Sequence, residues 1–340
     1  MLAMQMTRTV SLLEEDEPLT PVDLPVPEPG PGELLLRVSA CGVCHTELDE
    51  IEGRTLPPRL PVVPGHEVVG RIEAFGSGDF ELPAGARVGV GWIHSSSGAV
   101  DENLDPDFRA TGRDVNGGYA EFMTVPAGYA YPIPDTLDDV QAAPLLCAGA
   151  IGYRALQLSG LRDGQRLGLS GFGGSAHIVL QLCRHLYPHS KIYVFARDAG
   201  SREFARSLGA DWAGNTTDRV SPGLHAIIDT TPAWTPVVEA LANLAPGGRL
   251  VINAIRKEDA DRSALTRISY HQHLWMEREI KTVANITHYD IAEFLPIAAA
   301  IPIRSEVKTY PLLSANAALV SLKRESVRGA KVLLIGSQPD

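Results

Sequence analysis

The sequence predicts an α/β protein in which a β-rich unit precedes a doubly wound parallel sheet. Three observations carry that expectation. Residues 1–150 alternate short β-like runs with Gly and Pro turn signals. From about residue 151 the texture changes to alternating strand and helix patterns, the signature of a parallel sheet with crossover helices. Within that second stretch a glycine cluster, Gly171-Phe172-Gly173-Gly174, falls between a strand pattern and a helix pattern.

Glu33–Val38 and Val68–Glu73 read as strands, set apart by turns at Pro29-Gly30-Pro31-Gly32 and Pro83-Ala84-Gly85. The Asp- and Asn-rich stretch 100–116 reads as a surface loop. Further on, Gly168-Leu169-Ser170 ends a strand and 174–187 reads as a helix. A strand is expected over 191–196 and a helix over 201–208. Ala226–Asp229 and Gly248–Ile252 read as further parallel strands. Near residue 290 the texture changes back, with a helix over 291–300 and a closing strand over 331–335. The expected domains are therefore 1–150, 151–287 and a return to the first unit over 288–340.

The 340 residues, 44% of them hydrophobic, suit about two domains with a substantial core. A formal charge of −11 with no basic run argues against nucleic acid or an anionic membrane as partner. The start, MLAMQMTRTV, lacks the apolar run of a signal peptide, and no stretch is long and apolar enough to span a bilayer. Four cysteines in this length make no disulfide framework, so a reducing, cytoplasmic setting is expected.

The glycine cluster fits a dinucleotide site. Gly171, Gly173, Gly174 and Ser175 would form the tight turn that lets backbone approach a pyrophosphate at a helix N-terminus. An NAD site asks for an acidic residue at the end of the second strand. Ala196 and Arg197 stand there instead, with Arg202 beyond, which favours the 2′-phosphate of NADP(H). NAD(H) is the alternative, with Asp198 taking the ribose hydroxyl.

A second constellation lies in Cys41-Gly42-Val43-Cys44-His45-Thr46, Gly65-His66-Glu67 and Leu146-Cys147. Two cysteines and one histidine with a fourth position open make the ligand set of a catalytic zinc. Cys41 and Cys44 also form a CxxC, but the thioredoxin-like unit that a redox reading needs does not follow it.

With these segments, Pro64–Glu67, Gly117–Glu121, Leu145–Gly149 and Ser207–Ala210 also match in order. The chain thus resembles, nearly end to end, the zinc-dependent medium-chain alcohol dehydrogenases. The resemblance implies a GroES-like β-rich catalytic domain interrupted by a Rossmann domain. It implies Cys44, His66 and Cys147 as zinc ligands, Cys41 as a nearby non-ligand, and Glu67 behind the metal. Glu47 replaces the Asp that usually orients the ligand His. Thr46 matches the hydroxyl that takes the substrate proton. Asp49 stands where a relay His is common, so either Asp49 receives the proton or the relay ends in water. His45 and Arg328 match positions that reach the pyrophosphate, and Trp92 matches the aromatic wall of the substrate cleft. His271, Gln272 and His273 receive no role.

Many relatives hold a structural zinc with four cysteines just beyond the Trp92 position. Here 94–105 contains none, so one catalytic zinc per chain is expected, and Asp101, Glu102, Asp105 and Asp107 read as a solvated acidic loop. The implied activity is hydride transfer between NAD(P) and a small primary alcohol or aldehyde. A polyol or sugar dehydrogenase and a zinc-free enoyl or quinone reductase are the alternatives. The former usually has Glu in place of Cys147, and the latter lacks the Cys and His ligands. A homodimer or homotetramer joined through Rossmann sheet edges is implied.

Overall fold

The computed structural model describes residues 1–301, 303, 305–325 and 329–336. The chain forms two units, one from Met1–Ala150 with Ile286–Ala300 and Arg304–Asp340, the other from Ile151–Asn285 with Ile301–Ile303.

The first unit is built on a seven-stranded sheet centred on β1 (Glu33–Val43) and β2 (Val68–Phe75). Outward from β1 lie Ala330–Leu334 and then Val307–Pro311; outward from β2 lie Arg87–Val90 and then Tyr131–Pro132. Phe122–Pro126 also pairs with β1. All these pairings are antiparallel except that of the last two C-terminal strands. Leu34, Leu36, Val38, Val68, Ile72, Val88, Val90, Met123 and Val125 point into one core, as β-branched and aliphatic residues on a pleated face should. The β1–β2 register shifts between Leu35 and Leu36 and again between Val38 and Ala40. Such irregularities twist a strand and re-aim its end. The end of β1 leads directly into α1 (His45–Ile51).

The second unit is a six-stranded parallel sheet: β3 (Arg166–Ser170), β4 (Lys191–Phe195), β5 (Trp212–Gly214), β6 (Leu224–Asp229), β7 (Leu244–Ile252) and β8 (Glu279–Thr282). Their order is β5-β4-β3-β6-β7-β8. Helices α2 (Ala176–Leu186) and α3 (Ala199–Ser207) follow β3 and β4. Four successive residues of β3, 167–170, are buried, as expected of a strand covered on both faces. The strand order reverses between β3 and β6, which opens a crevice at their C-terminal ends. The α/β class and both architectures expected from the sequence are present.

Two local expectations are corrected. β7 begins at Leu244 and not at 248; its register to β6 slips after Leu224↔Leu244, beside the Gly247-Gly248 pair, where Gly247 has φ +68°. The stretch 100–116 is no simple surface loop, because Glu102, Asn103, Ala110 and Thr111 are buried. The Glu102 carboxylate is its hub. It accepts from Gly98 N–H (3.1 Å), Tyr129 O–H (2.7 Å), His288 N–H (2.6 Å) and His288 Nδ1 (2.9 Å). Four donors converging on one carboxylate make its burial tolerable. Among the described residues, no helix is long and apolar enough to cross a membrane.

Candidate metal centre

Cys44 terminates β1 in extended conformation (φ −113°, ψ 165°) and is the N-cap of α1. Its N–H donates to Glu47 Oε2 at 2.8 Å, the reciprocal half of a capping box. The other oxygen, Glu47 Oε1, lies 2.5 Å from His66 Nδ1, and both side chains are buried. With Nδ1 held by the carboxylate, Nε2 is the ring nitrogen left to face a ligand. His66 Nε2 is buried and has no hydrogen-bond partner. An orphan of this kind in a protein interior asks for a ligand.

Cys147 arrives from a distant segment, after the 3-10 turn Ala143–Leu146 and before the helix Ala148–Ser159. Its Sγ lies 3.9 Å from Cys44 Sγ. A disulfide needs about 2 Å. Two thiolates at about 2.3 Å from one tetrahedral ion would stand about 3.8 Å apart. The donor atoms of Cys44, His66, Glu67 and Cys147 all lie within 4.8 Å of one another. The residues present therefore fit a zinc ion.

Cys41 is outside this group. It is fully buried in the hydrophobic core, and a Cβ on Gly65 would crowd its Sγ and overlap the Tyr119 ring. Gly65 has φ +100°, so both space and backbone require glycine immediately before His66. Gly42 is equally constrained, since a Cβ there would overlap the Glu67 carboxylate.

The electrostatics favour one ionised thiol. A hydrogen bond from Cys147 holds the Cys44 thiol well below its ordinary pKa, against the opposing effect of burial, with His66 adding to the same side. The hydrogen bond with Cys44 and burial push Cys147 up in turn. Burial disfavours the His66 imidazolium, but Glu47 and Cys44 outweigh it and raise its pKa. Burial, with the neighbouring Cys44, raises Glu67.

Thr46 is buried on the first turn of α1, with Oγ1 3.7 Å from Cys44 Sγ. His45 is exposed at the start of the same helix. Asp49 is engaged elsewhere. Its buried carboxylate takes Arg54 Nε at 2.6 Å, and its carbonyl takes the N–H groups of Arg54 and Thr55. Glu50 was missed by sequence reasoning. It is buried, and burial followed by the charge of Glu47 drives its carboxyl up, opposed by His66 and Arg113. The available signal was the i, i+3 spacing of Glu47 and Glu50, which puts both on one helix face.

Trp92 packs against Phe108 in a tilted arrangement, 5.3 Å between ring centroids, and the Arg113 guanidinium sits 5.6 Å from each ring. Neither Phe108 nor Arg113 was legible as a neighbour of Trp92.

In the second unit, Gly171 follows β3 with φ +82°, and its N–H donates to Phe195 O at 2.9 Å. Any Cβ there would strike Thr230 and Thr231, whose loop follows β6; Gly173 faces open space. Gly174 and Ser175 lead into α2, and Asn253 Nδ2 lies 3.4 Å from Ser175 Oγ. The turn thus sits in the β3–β6 crevice. Ala196 is buried and Arg197 exposed. Arg202 Nη1 donates to Ala196 O (2.8 Å) and Arg197 O (2.6 Å), which ties one arm of its guanidinium to the segment after β4. Asp198 caps α3 by accepting from Ser201 N–H at 2.7 Å. Arg328 lies outside the described residues.

Residues 30–135 match the family model of the alcohol dehydrogenase GroES-like domain. A Mycobacterium tuberculosis protein named "Probable alcohol dehydrogenase AdhA" is 43% identical over 331 residues, covering 94% of this chain and 93% of its own. An alcohol dehydrogenase of Geobacillus stearothermophilus is 31% identical over 339 residues, covering 94% and 97%. A cinnamyl alcohol dehydrogenase structure from Sorghum bicolor superposes with a TM-score of 0.83 at 25% identity, covering 100% of this chain and 99% of its own.

Proposed function

The chain belongs to the medium-chain alcohol dehydrogenase family, and we propose that it is a zinc enzyme moving hydride between NADP(H) and a small primary alcohol or aldehyde. The observation that carries this reading is the bare His66 Nε2 beside two sulfur atoms 3.9 Å apart. Cys44, His66 and Cys147 would hold the metal, with Glu67 behind it. A bound zinc supplies Lewis-acid polarisation of the substrate oxygen. Neither the polyol nor the zinc-free alternative is favoured.

The residues divide the remaining work. Glu47 fixes the His66 ring and the Cys44 backbone together. Thr46 Oγ1 accepts the alcohol proton; a hydroxyl suits this because it accepts and donates at once. Asp49 is sealed from solvent by Arg54, so the proton held at Thr46 leaves to water and not to Asp49. The turn Gly171–Ser175 would cradle the pyrophosphate in the second unit, and Trp92 would wall the substrate site in the first. The only cysteines beyond the ligand pair are Cys41 and Cys183, both buried, so one zinc per chain is proposed. Metal analysis of the purified protein is expected to give one zinc, and o-phenanthroline to abolish oxidation of a short alcohol. Two metals per chain, or chelator-insensitive turnover, would refute it.

Arg197 is exposed two residues beyond the end of β4 and has no ion pair among the described residues, which suits it to a 2′-phosphate. NADPH is expected to give the higher kcat/KM. Arg197→Ala is expected to cost about tenfold with NADPH, one charge-assisted hydrogen bond, and little with NADH. A wild-type preference for NADH would overturn the assignment.

We assign the subunit contact to β8. All four of its residues are exposed at the sheet edge, and Tyr270, Leu274, Trp275, Met276 and Ile280 add exposed apolar surface. An unpaired edge strand beside exposed apolar surface is a template for a second copy. Ile280→Lys is expected to lower the mass seen by light scattering; an unchanged mass removes β8 from the interface. The four unpaired cysteines suit a reducing, cytoplasmic setting.

A further inference from the structure

A surface cavity of about 510 Å³ lies in the first unit, lined by Pro58, Arg59, Pro106, Asp107, Phe108, Arg109, Arg113 and Asp114. Its charge is unevenly committed. Arg113 and Asp114 neutralise each other through contacts of 3.1 and 2.9 Å, and Asp114 Oδ2 also holds Ala110 N–H at 2.6 Å. Arg59 and Arg109 are exposed, and neither makes an ion pair among the described residues. Asp107 is the single acid left to oppose them. The protein as a whole carries −11, so two uncommitted arginines at one cavity run against its general charge. Pro58, Pro106 and Phe108 supply apolar wall.

This cavity shares residues with the proposed substrate wall. Phe108 and Arg113 line it and also pack against Trp92. Arg113 in turn faces the buried Glu50, which feels the charges of Cys44 and His66. We propose that the cavity receives the anionic end of the substrate, so that the preferred alcohol or aldehyde carries an oxyanion, a carboxylate or a phosphate, at the far end of a short carbon chain. The inference rests on the dehydrogenase reading above and names the substrate class of that same site. Guanidinium groups pair with such oxyanions in bidentate fashion, whereas a neutral end gains nothing from Arg59 and Arg109.

The test compares three aldehydes of equal chain length with NADPH: adipic semialdehyde, its methyl ester and a phosphate-terminated analogue. At low salt, kcat/KM for at least one anionic aldehyde is expected to exceed that for the ester by about tenfold or more. The gap should narrow toward about 0.5 M salt. Which anion leads separates carboxylate from phosphate. In Arg59→Gln/Arg109→Gln the anion-to-ester ratio should fall at least about fivefold, while Arg71→Gln, an exposed arginine outside the cavity, should leave the ratio unchanged. An ester reduced as well as both anions, or a ratio that the double variant does not change, overturns the inference and leaves the dehydrogenase reading intact. No turnover of any of the three overturns both.

Discussion

Glu47→Gln is expected to lower zinc affinity and kcat/KM together by about 10- to 100-fold. The reason is the double duty of one carboxylate. Oε1 takes His66 Nδ1 and Oε2 takes Cys44 N–H, so both oxygens act as acceptors for groups that carry proposed ligands. Glutamine offers one acceptor and one donor. Either the imidazole loses the partner that fixes its tautomer, or the Cys44 N–H meets another N–H and the start of α1 loosens. Glu47→Asp keeps the charge but is a methylene short of spanning both donors, so an intermediate loss is expected. The readout is zinc per chain after dialysis against a competing chelator, alongside kcat/KM. A glutamine variant that keeps zinc as tightly as the parent would show that Glu47 only caps the helix.

The outline of this site was legible because short-range chemistry marks it. A glycine turn between a strand and a helix pattern, and the short segments Cys44-His45-Thr46 and Gly65-His66-Glu67, need no knowledge of distant contacts. The equal spacing of Cys41 and Cys44 could not say which one faces the core; that is decided by Gly65 and Tyr119, packed against Cys41. A sequence shows the charge of Arg202 but not the two carbonyls after β4 that hold one arm of its guanidinium. Phe108 and Arg113 were missed for the same cause, since their neighbour Trp92 belongs to another segment; Glu50 did carry a local signal, its i, i+3 spacing to Glu47. Glu102 is the clearest case. Its partner His288 lies 186 residues away, and an acid amid Asp and Asn reads as solvated until that helix is folded against it.

Glu102→Gln is accordingly expected to loosen the segment 94–116 by about 2–4 kcal/mol, since two of four buried donors lose their acceptor. The loss should depend on pH with a defined sign. Burial raises the Glu102 carboxyl, but the His288 N–H, the Tyr129 hydroxyl and the His288 ring outweigh it and hold it below its ordinary value. Its stabilisation is therefore present above about pH 4.5 and lost as pH falls through the lower folded value. His94, in the same segment, acts in the same direction from a higher pH. Burial pushes it down to about 4, so it stays neutral when folded while the unfolded chain takes up a proton. Its contribution is lost between about pH 6.5 and 4, at a cost of up to about 3 kcal/mol. Hydrogen exchange over 94–116 separates the two. The wild-type segment should open more readily from pH 6.5 downward, and the gap between wild type and Glu102→Gln should hold down to about pH 4.5 and close only as the pH falls further. A gap that stays constant across that range would mean that the Glu102 charge is not what binds Gly98, Tyr129 and His288 together.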